Sequence, residues 1–148
     1  GSHWYYPTHF HEETSKFKPN VKSKIIASNT SEELINSYDN TIVETDKFIY
    51  ELIQRLKHAN AVLIYLSDHG ESLGEDGHYL HAVDRPELHY PACFVWLSNT
   101  YKAKYPEKVS ALEANRLKRY RTDFLFHSIL GAASIETVYK DKSLDIFE

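Results

Sequence analysis

The apolar positions of this chain follow a helical repeat in its first part and then change to short continuous runs. Between residues 31 and 57 they recur every three or four residues, which predicts an amphipathic helix of about seven turns. Thr30 and Glu33 have the spacing of a capping box, in which each side chain accepts a hydrogen bond from the other residue's backbone N–H. We therefore expect Thr30 to be the N-cap. The positions at helical spacing are Leu34, Tyr38, Ile42, Thr45, Phe48, Ile49, Leu52, Ile53 and Leu56.

Two continuous apolar runs follow this helix. They are residues 61–66, AVLIYL, and residues 93–97, CFVWL. Each run is too short for a free-standing helix and does not alternate, which is typical of strands buried on both faces of a parallel sheet. Residues 67–91, between the runs, are rich in Gly, Asp, Glu and His and show no period. We expect them to form a long loop.

The remaining segments complete an α/β pattern. Residues 1–22 are rich in aromatic residues and histidine, and we expect loop and short strand there. Residues 107–120 predict a polar surface helix, and residues 123–133 predict a more buried helix with Thr122 as its N-cap. The tail, residues 140–148, is either an edge strand or a docked extension. A long helix, two strands separated by a loop, and further helices indicate the α/β class.

Composition and charge exclude few functions. With 148 residues, of which 42% are hydrophobic and 26% charged, the chain is one domain or part of one. Its net charge is -4 and its 17 Lys and Arg residues are scattered, so no nucleic-acid surface is indicated. No apolar run reaches the roughly 18 residues that a bilayer span requires, and no signal peptide is recognisable. Because the chain has no Met, we expect it to be cut from a longer protein.

The residues directly after the first apolar run carry candidate chemistry. Ligands of open α/β sheets bind at the carboxyl ends of the strands. Asp68 and His69 lie there and offer a carboxylate oxygen and an imidazole nitrogen, both suitable for a divalent cation such as Zn²⁺. Neighbouring strand residues point to opposite faces, so both reach one ion only where the backbone turns, and Gly70 permits such a turn. The alternative for a bare Asp-His pair is a hydrogen-bonded turn without a ligand.

A longer string extends this motif. Ser-Asp-His-Gly-Glu at residues 67–71 continues as Leu-Gly-Glu-Asp-Gly at residues 73–77 and as Tyr-Leu-His at residues 79–81. The whole string resembles the metal-binding signature of phosphoethanolamine transferases, which are membrane-anchored members of the sulfatase and alkaline phosphatase superfamily. Much of the superfamily, including sulfatases and phosphoglycerol transferases, shares the Asp-His-Gly part. The extension to His81 resembles the phosphoethanolamine branch.

The resemblance continues outside the loop. Residues 36–42 and 45–46 are similar to the family's helix before the metal strand, and residues 91–98 are similar to the strand after it. The resemblance implies an alkaline phosphatase/sulfatase-like α/β fold with a mainly parallel sheet flanked by helices. It further implies that residues 1–148 are the C-terminal portion of a catalytic domain and form an incomplete domain on their own.

Site residues follow from the same resemblance. It implies that Asp68 and His69 are two ligands of a catalytic zinc ion. His81 matches a histidine that lies near the transferred phosphate and that touches an additional zinc ion in some relatives. Glu71 and Glu75 belong to the motif, and for them we expect hydrogen bonds that fix the loop.

The first residues of the chain have two interpretations. Gly1-Ser2-His3 is what a cleaved affinity tag often leaves behind. With the aromatic residues that follow it, the tripeptide also resembles a family segment upstream of the metal strand, whose histidine faces the substrate phosphate. On that interpretation His3 lies beside His81, opposite the Asp68–His69 pair.

The resemblance implies a two-step, zinc-dependent transfer. A Thr nucleophile attacks phosphatidylethanolamine, diacylglycerol leaves, and phosphoethanolamine passes to lipid A or another envelope glycan. His3 and His81 would neutralise the phosphate or exchange protons with its oxygens. The family's Thr, acidic zinc ligand and transmembrane helices all precede the segment of His3, so we expect this chain alone to bind zinc weakly and to be inactive. The implied location is the periplasmic side of the bacterial inner membrane.

Two alternatives remain open. One keeps the superfamily but makes the protein a sulfatase or a phosphoglycerol transferase. A sulfatase would need a formylglycine motif, which this chain does not contain. The other is a non-catalytic binding domain that retains the metal loop. It predicts that replacing Asp68 or His69 by Ala in the full-length protein changes neither activity nor zinc content.

Overall fold

The computed structural model describes residues 2–148, which form helices and short strands joined by 3₁₀ turns. The helices are α1 (Ser31–Leu56), α2 (Asn99–Lys104), α3 (Pro106–Asn115) and α4 (Phe124–Ala132). The strands are β1 (Val62–Leu66), β2 (Ser72–Leu73), β3 (Tyr79–Leu80) and β4 (Cys93–Leu97). This mixture confirms the predicted α/β class. Within residues 2–148, no helix combines the length and the apolar composition that a bilayer crossing requires.

Helix α1 has the predicted limits to within one residue. The backbone N–H of Thr30 donates to Glu33 Oε2 at 2.9 Å, and the N–H of Glu33 donates to Thr30 Oγ1 at 3.2 Å, which confirms the capping box. Lys22 Nζ also lies 3.1 Å from Glu33 Oε1. These contacts, with the Thr30 N–H first, hold the pKa of Glu33 below its ordinary value.

The most buried polar side chains of α1 accept hydrogen bonds from the backbone of the loop that precedes the helix. The N–H groups of Lys16 and Phe17 donate to Asn40 Oδ1 at 2.9 and 3.0 Å, and the N–H of Val21 donates to Ser37 Oγ at 2.8 Å. Asn40 and Ser37 are 2% and 0% exposed. The loop forms 3₁₀ turns and no strand within residues 2–22, so part of its backbone depends on these side chains for hydrogen bonds.

This arrangement corrects the apolar pattern of α1. Leu34 and Ile49 are buried as the spacing predicts, but Ile42 and Phe48 are 44% and 62% exposed. The short strand expected within residues 1–22 is also wrong for the described part, residues 2–22. Both errors have one cause, since helical spacing marks apolar positions but does not show which polar side chains a neighbouring loop will cover.

Strands β1 and β4 pair with each other over the lengths that the apolar runs predict. The N–H of Ser67 donates to Ala92 O at 2.9 Å, and the rings of Tyr65 and Phe94 stack with centroids 5.2 Å apart. As the residue numbers rise along β1, the numbers of the facing residues on β4 fall, so the two strands are antiparallel. All five β1 residues are half-buried. Direction and burial both differ from the expected parallel, fully covered strands, because the chain returns through a loop without a crossover helix.

Contacts divide the chain into two compact units. One runs to Arg55 and resumes at Ile64–Phe94, and the other comprises Leu56–Leu63 and Val95–Glu148. In the second unit, Ser98 Oγ accepts from the N–H of Tyr101 at 3.1 Å and caps α2, a helix that the sequence did not predict. Pro106 then starts α3, which ends at Asn115 instead of reaching Tyr120.

The end of the second unit is a docked extension, not an edge strand. Asn115 Nδ2 donates to Ile146 O at 3.1 Å, and the N–H of Ile146 donates to Ser128 Oγ at 3.1 Å. Ile146 is 7% exposed. Helix α4 begins one residue later than predicted. Asp123 occupies its N-cap position, but the Asp123 side chain makes no capping hydrogen bond. The prediction of Thr122 as its N-cap is therefore wrong.

Candidate metal and phosphate site

The candidate site begins where β1 ends, within the first unit. Ser67 Oγ donates to His69 O at 2.9 Å, and the N–H of His69 donates to Asp68 Oδ1 at 3.0 Å, so the chain turns directly after the strand. Asp68 Oδ2 lies 3.8 Å from His69 Nε2. The turn thus brings together the carboxylate and the imidazole that the sequence paired. The Asp68 side chain is 80% exposed and open to a ligand.

Gly70 is required by a close backbone approach. A Cβ atom at this position would lie 2.0 Å from the carbonyl oxygen of Glu87, and the N–H of Gly70 donates to Leu88 O at 3.0 Å. The sequence interpretation gave Gly70 the freedom to turn. The structure gives a different reason, which is that the turn at residues 86–89 packs directly on its Cα.

A small hairpin returns the chain to the site. Strands β2 and β3 are antiparallel, with Ser72 opposite Leu80 and Leu73 opposite Tyr79. The next pair in this register is Glu71 and His81, and His81 Nδ1 lies 3.2 Å from Glu71 Oε2. Gly74 and Gly77 have φ values of 115° and 77°, which side chains with a Cβ rarely adopt. Gly74 and Gly77 therefore allow the turn that places His81 beside Glu71.

Side chains from the turn at residues 86–89 and its flank hold the hairpin. Ser72 Oγ donates to Glu87 Oε1 at 2.9 Å, and Arg85 bridges Glu87 and Asp76 at 3.1 and 2.9 Å. The N–H of Leu73 donates to Glu75 Oε2 at 2.7 Å, which is the loop-fixing role expected of Glu75. These bonds hold β2 and the turn that follows it in place beside the site.

The tautomer of His69 follows from a local hydrogen bond. His69 Nδ1 lies 2.6 Å from Gly70 O. A carbonyl oxygen only accepts, so Nδ1 carries the hydrogen and, in the neutral ring, Nε2 keeps a free lone pair. A backbone carbonyl on one ring nitrogen is the usual way in which proteins orient a histidine whose other nitrogen binds a metal.

Three histidines gather at this point. The ring centroids of His69 and His81 are 4.3 Å apart, and His3 lies 5.9 Å from His69 and 5.1 Å from His81. All three rings keep part of their surface in solvent. The structure thus brings His3 to the other predicted site residues although it is 66 positions from His69 in the chain. Gly1 lies outside the described residues, so the Gly-Ser-His segment is observed from Ser2 onward.

An open pocket lies beside His3, Asp68 and His69. It is lined by Ser2, His3, Tyr38, Ser67, Asp68, His69, Gly70 and Glu71. Burial acts to raise the pKa of Asp68, but the His69 N–H and the nearby rings of His69 and His3 outweigh it, so this pKa lies below its ordinary value. The carboxylate therefore stays ionised and available to a cation.

Tyr38 and Tyr6 are parts of the site that sequence reasoning missed. Burial, followed by the charge of Glu71, raises the pKa of both phenols. Their rings meet with centroids 5.4 Å apart, and Tyr6 OH donates to Glu71 Oε1 at 3.0 Å. Glu71 belongs to the motif, but the sequence gives no signal for its contact with Tyr6 or His81, because strands of two residues have no periodicity. Nothing in the sequence pattern marks Tyr6.

The donor set suits a zinc ion. Ligand atoms of His69, Glu71 and His81 all lie within 4.8 Å of one another. Imidazole nitrogen and carboxylate oxygen are the donors of catalytic zinc sites with two histidines and one glutamate. Asp68 adds an exposed carboxylate beside His69 Nε2. The residues present therefore fit a divalent cation of this type.

Known proteins are similar to this chain in sequence and in fold. The family model described as Sulfatase matches residues 1–135. The phosphoethanolamine transferase EptA of Escherichia coli K12 is 35% identical over 160 aligned positions, which cover all of this chain and 29% of that protein. The chain thus spans less than a third of the length of this curated relative.

Two solved structures from Neisseria meningitidis have the same fold. The soluble domain of lipooligosaccharide phosphoethanolamine transferase A superposes with a TM-score of 0.87 at 31% identity, covering 95% of this chain and 45% of that domain. The integral membrane form of that transferase gives a TM-score of 0.85 at 31% identity, covering 93% and 27%. The chain belongs to the sulfatase family and, within it, is similar to the phosphoethanolamine transferases.

Proposed function

We propose that this chain is the C-terminal portion of the catalytic domain of a zinc-dependent phosphoethanolamine transferase. The observation that carries the proposal is the meeting of His3, His69 and His81 beside Asp68 at the end of β1. A site that transfers a phosphoryl group needs cationic or hydrogen-bonding groups around an anion, and here three imidazoles lie together beside an exposed carboxylate. The similarity to EptA supports the same function.

In this proposal Asp68 and His69 hold the zinc ion. His69 would bind through Nε2, because its Nδ1 is occupied by Gly70 O. When bound, zinc lowers the pKa of a hydroxyl nucleophile and polarises phosphoryl oxygens. The nucleophile, a Thr, and the remaining acidic ligand would come from a part of the protein that precedes His3.

His3 and His81 face the transferred group in this mechanism. Their ring centroids lie 5.1 Å apart and both side chains are partly exposed, so each can reach an oxygen of a bound phosphoryl group. Protonated rings would offset the charge of the phosphate. Neutral rings would exchange a proton with the leaving or attacking oxygen.

Donor, acceptor and location belong to the same proposal. The donor is phosphatidylethanolamine, with diacylglycerol as the product that leaves, and the acceptor is lipid A or another envelope glycan. The two Neisseria proteins are described as acting on lipooligosaccharide, and one is described as an integral membrane protein. We place the catalytic domain on the periplasmic side of the bacterial inner membrane.

Expression of the full-length protein in a bacterium with unmodified lipid A tests this function. We expect phosphoethanolamine on the envelope lipid, detected by mass spectrometry, and release of diacylglycerol from labelled phosphatidylethanolamine. Hydrolysis of an aryl sulfate without either product would instead establish a sulfatase. Transfer of phosphoglycerol would establish the other alternative within the superfamily.

The isolated chain gives a second test. Residues 1–148 contain two of the proposed zinc ligands and no assigned nucleophile, so we expect weak zinc binding and no turnover of phosphatidylethanolamine. Robust turnover of a fluorescent phosphatidylethanolamine by this chain alone would contradict the proposed division of the active site.

A further inference from the structure

Glu71 is a carboxylate at the site to which the proposed mechanism gives no role. Its side chain is 5% exposed, whereas that of the adjoining His81 is 40% exposed. Both of its oxygens are engaged, since Tyr6 OH donates to Oε1 at 3.0 Å and His81 Nδ1 lies 3.2 Å from Oε2. A carboxylate with so little exposure needs such partners, because burying it without them is costly.

The pair has a defined direction. An ionised carboxylate has no hydrogen to donate, so His81 Nδ1–H is the donor. In the neutral ring, the lone pair then resides on Nε2. Glu71 thereby selects one tautomer and fixes the ring about its Nδ1, while the rest of the ring stays partly in solvent among the other histidines.

The far side of Glu71 is fixed by an aromatic cluster. Tyr6 is 0% exposed, and its ring contacts Trp4 and Tyr38 at centroid distances of 5.1 and 5.4 Å. Rigid rings of this kind leave the Tyr6 hydroxyl little freedom. The order of contacts is therefore an immobile phenol, a buried carboxylate and a partly exposed imidazole.

We propose that Glu71 is a positioning residue for His81, and that Tyr6 is the anchor that holds Glu71 in place for this role. The inference rests on the proposed function, because the task of His81 is to exchange a proton through Nε2 with the attacking or leaving oxygen of the substrate. Glu71 touches neither the substrate nor the reacting atoms and acts only through His81. A carboxylate behind a histidine fixes the tautomer and the orientation of that ring.

A different role for Glu71 would be metal ligation, since its carboxylate lies within 4.8 Å of ligand atoms of His69 and His81. The observed contacts favour positioning. Each carboxylate oxygen is already an acceptor, and the side chain is nearly enclosed. Positioning requires no change in these contacts, whereas ligation would add a cation to a side chain that is only 5% exposed.

The test uses the full-length protein with three variants. Glu71→Leu removes both acceptors at nearly constant volume, Glu71→Gln keeps one amide oxygen as an acceptor, and Glu51→Gln, at an exposed glutamate of α1 outside the site, is the control. Loss of an outer partner of a functional histidine costs about 10- to 100-fold. We expect a loss of that size in kcat for Glu71→Leu, partial recovery in Glu71→Gln, and no change in KM, zinc content or in the control.

A double-mutant cycle tests the anchor. Tyr6→Phe removes only the hydroxyl, and we expect it to lower kcat in the same direction but less than Glu71→Leu. Because Tyr6 acts through Glu71, the double variant Tyr6→Phe/Glu71→Leu should be no slower than Glu71→Leu alone. If the losses in kcat of the two single variants multiply in the double variant, Tyr6 and Glu71 act independently and the anchor role is contradicted. An unchanged kcat in Tyr6→Phe would contradict it as well.

Other outcomes overturn the positioning role itself. Loss of zinc from folded Glu71→Leu and Glu71→Gln would make Glu71 a ligand. Wild-type kcat in both variants would remove any role. A Glu71→Leu protein that unfolds, as judged by circular dichroism, leaves Glu71→Gln to decide.

A readout without turnover separates this inference from the proposed function. Histidine nitrogen shifts of the ¹⁵N-labelled full-length protein without metal, assigned with His81→Gln, report the tautomer of His81. We expect Nδ1–H in the wild type and a shift toward Nε2–H in Glu71→Leu. An inactive wild type with this shift would contradict only the transferase function, whereas an unchanged tautomer would contradict the inference.

Discussion

Each compact unit contains a cluster of charged and polar side chains, and the two clusters differ in how completely their members are paired. In the second unit Lys140 Nζ lies 2.8 Å from Asp145 Oδ2 and 2.9 Å from Glu148 Oε1, and the side chains of Lys140 and Asp145 are 3% and 0% exposed. In the first unit Asp68 is 80% exposed and pairs only loosely with His69, at 3.8 Å.

The comparison distinguishes a cluster that stabilises the fold from one that can bind a ligand. Burial acts to lower the pKa of Lys140, but hydrogen bonds and charge from Asp145 and Glu148 outweigh it and raise this pKa. The amine is therefore permanently charged and satisfied, and it fastens the docked tail. Asp68 and the histidines keep lone pairs open to solvent, so they retain the capacity to bind a cation or an anion.

The largest expected effect comes from replacing a member of the open cluster, which is Asp68 with His3, His69 and His81. Asp68→Asn or His69→Ala in the full-length protein should lower kcat/KM of the proposed transfer by more than about 1,000-fold, since loss of even one stabilising donor at a transition state costs about 100- to 1,000-fold. Zinc content should fall in parallel. His11→Ala, an exposed histidine outside the site, is the control. Unchanged activity and zinc content would favour the non-catalytic binding domain instead.

Changes in the closed cluster, which is Lys140 with Asp145 and Glu148, should lower the stability of the protein and leave its activity unchanged. Lys140→Met leaves two carboxylates without their cation, and we expect a loss of about 3 kcal/mol in the free energy of unfolding. Lys142 contacts the same Glu148 carboxylate at 3.4 Å but is 68% exposed, so Lys142→Met should cost less than about 0.5 kcal/mol. Urea unfolding measures both values. Equal losses in the two variants would show that burial does not distinguish the two lysines.

A third change tests the support of the open cluster. Gly70→Ala places a Cβ against Glu87 O, and the resulting displacement should cost about 1–3 kcal/mol of stability. Because Asp68 and His69 lie directly beside this position, zinc affinity should fall as well. A Cβ added at Gly77 would meet no atom within 4 Å, but the φ of this residue is 77°, so Gly77→Ala measures the backbone strain alone.

The smallest effect is a pH dependence of the closed cluster. Hydrogen bonding by Lys140, with the charges of Lys140 and Lys142, holds the pKa of Glu148 below its ordinary value. A lowered carboxyl pKa contributes stability above the unfolded-state value, and that contribution is lost as the pH falls through the folded-state value. Stability should therefore decline below about pH 5. The decline should be shallower in Lys140→Met, as thermal melts across the acidic range would show. Parallel curves would exclude this linkage.

Prediction from sequence succeeded where the determinants are local. The limits of α1 follow from its capping box, and those of β1 and β4 follow from two uninterrupted apolar runs. Asp68 and His69 could be found because a strand end followed by glycine is visible in the chain. These features depend on neighbours a few positions apart, which is the range over which spacing and propensity act.

Prediction failed where distant segments meet. Strands of two residues such as β2 and β3 leave no periodic signal, so the register that sets Glu71 opposite His81 could not be read from the chain. The burial of Asn40 likewise depends on a loop more than 20 residues away. Polar side chains in helices are ordinarily solvated, and only the packed loop reverses that expectation.

The sequence by itself determined the long helix, the two main strands, and the string at residues 67–81 whose resemblance indicated the family. Tertiary structure alone decided that β1 and β4 run antiparallel, that Gly70 is required by the carbonyl of Glu87, and that Tyr6 reaches Glu71. The physical reason is common to all three. Hydrogen bonds and close contacts between remote segments depend on the path of the chain in space, and spacing along the chain does not record that path.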